Sequence, residues 1–296
     1  METSSDNFDT ASATDASAAR LIFGDLWEFD PAPESADPRI KSDYDLFIGG
    51  SGVSPSSGQT FESINPANEK VISRIPEAGQ ADVDSAFLAA DKAYRTVWSR
   101  MPGRERGKYL FRIARLLQDQ AREFAVAETI DGGKPIRESR DFDLPMEAAH
   151  FFYHAGWADK YEQVLGSTNP VAGPYFDFTA CEPMGVIALA SEAPPYPAIM
   201  LGEILAVSDL PAGVVNLLTG SRREILPAFA IHAHIRSLDV VIESRDEKRE
   251  LGLGAAESVK RLHCRENPTW STEYAESINK IRRSVEFKTT WHPIGA

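Results

Sequence analysis

The chain has 296 residues, 43% hydrophobic and 25% charged, enough apolar sequence for one large or two modest domains. Its net charge of −13 excludes sequence-independent binding to nucleic acid or anionic lipid, which depends on basic patches; acidity of this kind serves solubility in many cytosolic enzymes. Two cysteines, Cys181 and Cys264, make neither a disulfide framework nor a CxxC metal site.

Residues 1–20 are acidic and rich in Ser, Ala and Thr. With no basic n-region and no apolar h-region they predict no signal peptide. No apolar run approaches the roughly 20 residues that span a bilayer, so a cytoplasmic protein is expected. The stretch 1–43 reads as a disordered tail and an irregular lead-in, with three prolines between Pro31 and Asp43. Strands are predicted over 44–48, stopped by Gly49-Gly50, and over 60–64 and 70–75, joined by an Asn65-Pro66 turn.

From Asp82 the period becomes helical: Val83, Ala86, Phe87, Ala90, Tyr94 and Val97 share one face, with Asp82 and Asp84 in the first turn. A second helix follows Pro102-Gly103, with Leu110, Ile113, Leu117, Ala121 and Phe124 as its stripe and Gly132-Gly133 as its end. A third begins at Pro145 and runs to Trp157. Strands are then expected over 175–179 and 186–190, broken by Cys181-Glu182-Pro183. Helices 199–206 and 224–232 alternate with strands 214–219 and 238–242. That alternation implies right-handed crossovers and a parallel sheet. A charged helix over 246–262, a loop at 266–270, a short helix over 273–283 and a strand over 285–291 complete the chain.

Several of these segments together resemble the aldehyde dehydrogenase superfamily. INPANEKVISRIPEAGQADVDSAFLAADKAYRTVWS is similar to the family's opening. ETIDGGKPIRES and HFFYHAGWADK resemble its next helices, CEPMG its EP-x-G, and LPAGVVNLLTG the strand before its nucleotide loop. The resemblance covers roughly 44–244 and implies an enzyme that oxidises aldehydes with NAD or NADP.

The departures carry as much meaning. The family's strand, Pro-Trp-Asn stretch and helix after EP-x-G lack a counterpart here, and with them the oxyanion Asn. The ribose-binding Lys matches Leu189, although Ser191 and Glu192 remain. The Gly-x-Gly-x-x-x-Gly loop keeps only Gly220, with Arg222 and Leu226 at the other glycine positions, and Phe-Thr-Gly-Ser aligns with Val241-Ile242-Glu243-Ser244. There is no Glu-Leu-Gly-Gly-Lys and no Gly-Gln-x-Cys, so the family's base and nucleophile have no match. VEFKTTWHPIGA resembles the last strand of divergent members. The resemblance assigns it, with 175–179, to an oligomerisation arm. From about Pro170 the chain looks closer to non-catalytic, paired or tandem members.

Other candidate chemistry is thin. His263 beside Cys264 gives no geometry for a pair, since adjacent helical side chains diverge. His150 and His154, at i and i+4, lack a third ligand. Gly132-Gly133-Lys134 is no phosphate loop, because it ends a helix. Glu182 and Glu192 have no partner carboxylate in sequence. The aromatic group Phe151, Phe152, Tyr153 and Trp157 reads as helix packing, and Lys280, Arg282 and Arg283 as a solvated face.

The expected fold is therefore α/β: an N-terminal helical layer on an incomplete Rossmann-like parallel sheet, with oligomerisation-arm strands and the catalytic domain missing. The expected organisation is a tail and lead-in over 1–43, a truncated cofactor-type domain over 44–270, and a helix and arm strand over 271–296. No catalytic residue, metal ligand or bound cofactor is expected; Ser191, Glu192 and Gly220 stand as vestigial cofactor-binding positions. Two readings of function compete. One is a non-catalytic subunit that forms a homo-oligomer or pairs with a full-length aldehyde dehydrogenase, or a degenerate or hybrid gene product. The other is an oxidoreductase or nucleotide-binding protein with a rebuilt site. Neither involves nucleic acid or membrane.

Overall fold

Strand β1 (Leu46–Ile48) sends Leu46 and Ile48 into one apolar core and Phe47 into another, as alternation along a strand requires. It turns at Gly49 and Gly50, both with positive φ, into β2 (Ser51–Val53). The structure, a computed structural model, describes residues 39–190, 194–242, 244–265 and 276–295. Of the expectations above, the 1–20 tail, the 266–270 loop and the start of the 273–283 helix lie outside these residues, as do Ser191, Glu192 and Glu243.

A second hairpin pairs β3 (Thr60–Ile64) with β4 (Val71–Pro76). The side chain of Asn65 accepts from Ala67 N at 2.9 Å within the turn, the Asx geometry expected of an Asn-Pro turn. Helix α1 (Gln80–Thr96) follows. Asp82 is buried at its first turn and accepts from Gly79 N and Ser56 N, each at 2.9 Å. These bonds satisfy the carboxylate and close an orphan amide at the helix start.

The predicted second helix is two helices, α2 (Gly103–Asp119) and α3 (Ala121–Gly132), broken at Gln120. Phe124, Ala125, Val126 and Ala127 are all buried. Four consecutive buried residues cannot share one face with Ile113 and Leu117, so the chain is re-aimed between them. Helix α3 ends where predicted, on Gly133 in the left-handed conformation. A π-helical turn (Ser139–Asp143) then leads into α4 (Leu144–Trp157) and α5 (Tyr161–Leu165).

Helices α2 and α4 approach at glycine: a Cβ on Gly103 would lie 2.1 Å from Ala158 O, whereas around Gly156 the space is open. Gly103→Ala should therefore destabilise the fold by about 1–3 kcal/mol. Gly156→Ala should be neutral or stabilising by up to about 1 kcal/mol, from helix propensity. Denaturant melts of the two variants give the comparison; equal effects would remove this close approach.

Strand β6 (Tyr175–Pro183) is the centre of a three-stranded antiparallel sheet with β5 (Ser167–Asn169) and β10 (Val285–Pro293). Cys181-Glu182-Pro183, expected to break this strand, continue it. Strand β10 supplies a partner for every residue of β6 from Tyr175 to Pro183, and the proline falls at the strand's end, where a missing donor is tolerated.

The parallel sheet consists of β7 (Ile187–Ala190), β8 (Ser237–Val241) and β9 (Arg261–Arg265), in that order. Segment 214–219, expected as one of its strands, instead makes one antiparallel bridge, Leu217 to Phe47. The sheet's third strand is β9, which was expected as the end of a charged helix. Its Leu262 and Cys264 pack on the core, while Arg265 pairs with Asp239 at 2.7 Å and Arg261 with Glu286 at 2.5 Å. The two-residue apolar period is thus hidden among paired charges.

Helices α6 (Pro195–Val207), α7 (Arg222–Ile231), α8 (Arg245–Glu257) and α9 (Ile278–Arg283) complete the elements used here. One core gathers the parallel sheet with α1, α7 and α8; the other gathers α2, α3, α4 and α6. Leu238 and Val240 are fully buried in the first, each contributing about 1.5–3 kcal/mol. The fold is α/β, a helical layer beside a small parallel sheet. No helix of the described residues is long and apolar enough to cross a membrane.

Candidate functional site

The resemblance directs attention to the loop that starts α7. Gly220 has φ +150°, and a Cβ there would lie 2.9 Å from Ala78 N and 3.1 Å from Ile225 Cδ1. This glycine is required by packing against the turn before α1. Arg222, at the next glycine position of the family pattern, turns sideways. Its Nε and Nη2 meet Glu247 Oε1 and Oε2 at 2.6 and 3.0 Å, and Nη2 also donates to Val241 O. This two-pronged pair joins the first turns of α7 and α8 to the end of β8. Leu226, at the last glycine position, is buried in the first core.

Glu247 was missed as a partner. The signal lay in Ser244-x-x-Glu247, a capping pattern, and Ser244 Oγ does accept from Glu247 N at 3.2 Å. Leu189, matched to the family's ribose-binding Lys, is 68% exposed on β7. An open cavity of about 830 Å³ lies between β7, α1, α7 and 214–220. Phe87, Tyr94, Trp98 and Phe229 are among its walls, and Arg222 alone of the described lining residues is charged.

The two thiols lie in different sheets. Cys181 is opposite Phe287 in the antiparallel ladder, and burial, then the carboxylate of Glu162, push its pKa up. That is the wrong direction for a nucleophile, which works as thiolate. Cys264 packs on the first core from β9.

His154 Nδ1 lies 2.8 Å from the His150 carbonyl, and burial lowers the pKa of His150. Among the described residues no group of three or more His, Cys, Asp or Glu side chains converges as metal ligands would. Lys134 reaches Glu128 and Asp143 at 2.8 and 2.9 Å. Burial opposes its charge, yet these bonds hold its pKa above the ordinary lysine value. Glu182 pairs with Lys288 at 3.1 Å. The Phe87 ring lies 4.4 Å from the His232 ring and 5.7 Å from that of His234. Burial lowers the pKa of His232, and Asp84, 3.7 Å away, offsets part of that shift.

Three comparisons bear on this arrangement. The model of the aldehyde dehydrogenase family matches residues 53–191. Aldehyde dehydrogenase family 2 member B4, mitochondrial, from Arabidopsis thaliana is 32% identical over 259 residues, 77% of this chain and 48% of its own length. Retinal dehydrogenase 2 from Homo sapiens is 32% identical over 232 residues, 68% of this chain and 44% of its own length. Among solved structures, the NAD+ complex of aldehyde dehydrogenase from Bacillus cereus superposes with a TM-score of 0.72 at 25% identity, covering 78% of this chain and 54% of that one. The chain spans about half the length of the curated relatives it matches, and it belongs to the aldehyde dehydrogenase superfamily.

Proposed function

We propose that this chain is a non-catalytic aldehyde-dehydrogenase-like subunit whose retained role is assembly. The observation that carries the reading is the antiparallel sheet. Strand β10 pairs along the whole of β6, yet every residue after Val285 is exposed. Among the described residues its outer edge has no neighbouring strand. Phe287, Trp291 and Tyr175 are exposed on one face, with Trp291 and Tyr175 rings 5.9 Å apart. A long edge with aromatic side chains is a template for another chain.

The residues at the start of α7 do not fit a dinucleotide: Arg222 is closed on Glu247 and Leu226 belongs to the core. Residues 44–270 then act as a scaffold and 271–296 as the docking arm, toward a second copy or a full-length aldehyde dehydrogenase. Light scattering tests this. The protein, alone or mixed with a full-length homologue, is expected above its 32.6 kDa monomer mass. Deleting 285–296, or substituting Lys288→Pro to remove a ladder donor, should abolish the complex. A clean monomer in both samples rules the reading out.

A further inference from the structure

The consecutive residues 185–190 and the consecutive residues 214–220 line the same cavity. The face of a strand shows a cavity only every second residue, so the unbroken run through β7 means that its backbone edge faces the cavity, with the irregular segment 214–220 on the opposite wall. Hydrogen-bond parity agrees. Val186 O accepts from Arg236 N at 2.9 Å on the β8 side. By alternation Ala188 and Ala190 face β8, and Ile187 and Leu189 turn their N–H and C=O to the free side.

On the opposite wall, Leu217 exchanges both backbone bonds with Phe47, at 2.8 and 3.1 Å, and Thr219 O accepts from Ala78 N at 2.8 Å. Leu218 lies between them and points the other way, with no backbone partner among the described residues. A strand of six residues between two neighbours occupies a slot about 20 Å long, about 5 Å wide and about 10 Å deep, roughly 1000 Å³. The cavity measures about 830 Å³.

We propose that this cavity is a peptide-binding slot, which takes an extended, uncharged, apolar segment of a partner protein, about six residues long, between β7 and 214–220. A guest strand pairs with Ile187 and Leu189 on one side and Leu218 on the other. A compact apolar ligand would cover those groups without bonding them, at an energetic cost. Among the described lining residues the one charge, Arg222, is held by Glu247, so an acidic or nucleotide ligand finds little to bind there. A strand buried on both faces is continuously apolar, which matches walls made of Ile187, Ala190, Phe87 and Phe229. The slot is separate from the β10 edge, and binding to it does not depend on residues 285–296.

The experiment uses the full chain and a blocked synthetic peptide with a Val-Ala-Val-Ile-Ala-Val core and a lysine at each end for solubility. A control peptide carries proline at the third and fifth core positions. Calorimetry should show saturable one-to-one binding in the micromolar range, and the proline peptide should bind at least roughly tenfold more weakly, the effect of losing about one buried hydrogen bond. Amide exchange at Ile187, Leu189 and Leu218 should slow on binding. Absence of saturation overturns the proposal. So does equal binding of the two peptides, which would mean adsorption to apolar surface, or saturation that leaves those three amides unprotected.

Discussion

Purified protein mixed with NAD or NADP and a panel of aliphatic and aromatic aldehydes is expected to produce no more NADH or NADPH than its Cys181→Ala/Cys264→Ala variant. Aldehyde oxidation through a thiohemiacetal needs a thiolate, an oxyanion donor, a base and a hydride acceptor in one place. Cys181 is carried by the antiparallel sheet of β5, β6 and β10, with its pKa raised by burial and Glu162. Cys264 sits on an edge strand of the parallel sheet with its side chain against the core. Removing one oxyanion donor alone raises a barrier by about 2.7–4 kcal/mol. A chain that also works without nucleophile and base, as proposed above, has nothing to raise turnover above background. Turnover by the wild-type chain that the double variant lacks would establish one of these thiols as a nucleophile and end the non-catalytic reading.

The sequence is most legible where a local turn or cap signal bounds an element. The α3 terminus at Gly133 and the Thr60–Ile64 strand were both readable to the residue. It was least legible where long-range pairing overrode local pattern. Strand β9 looked helical because Arg261 and Arg265 mask the alternation of Leu262 and Cys264, and their partners, Glu286 and Asp239, lie on other strands. Segment 214–219 reads as a sheet strand from its own residues, yet a ladder needs neighbours, and among the described residues its one bridge is to Phe47. At the candidate site, the pattern identifies Gly220 and Arg222 as residues of the loop at the start of α7. What Arg222 does there depends on Glu247, twenty-five residues on, and no local pattern joins the two. Strand β6 runs on through Cys181-Glu182-Pro183, expected as a break, because each pairs with β10 and the proline at the strand's end is tolerated.

Titration calorimetry with NAD and NADP should show no saturation below about 1 mM, a binding free energy weaker than about 4 kcal/mol. A dinucleotide site at a helix start works because free N–H groups and the helix dipole meet the pyrophosphate, and glycines let the backbone approach. At α7 the approach is taken. Gly220 is packed on Ala78, Leu226 fills the core, and the Arg222 guanidinium is engaged by Glu247 and Val241 O. Leu189 offers neither charge nor a side-chain donor to a ribose and stands 68% exposed. The counter-argument is that Arg222 could leave Glu247 for a phosphate, exchanging one two-pronged ion pair for another. Such an exchange would break the pair with Glu247, whose side chain is 19% exposed, so the phosphate must outbid a pair already formed and partly desolvated. The two cases separate cleanly: micromolar binding that Arg222→Ala abolishes would show that the arginine does switch, and would restore this loop as a nucleotide site.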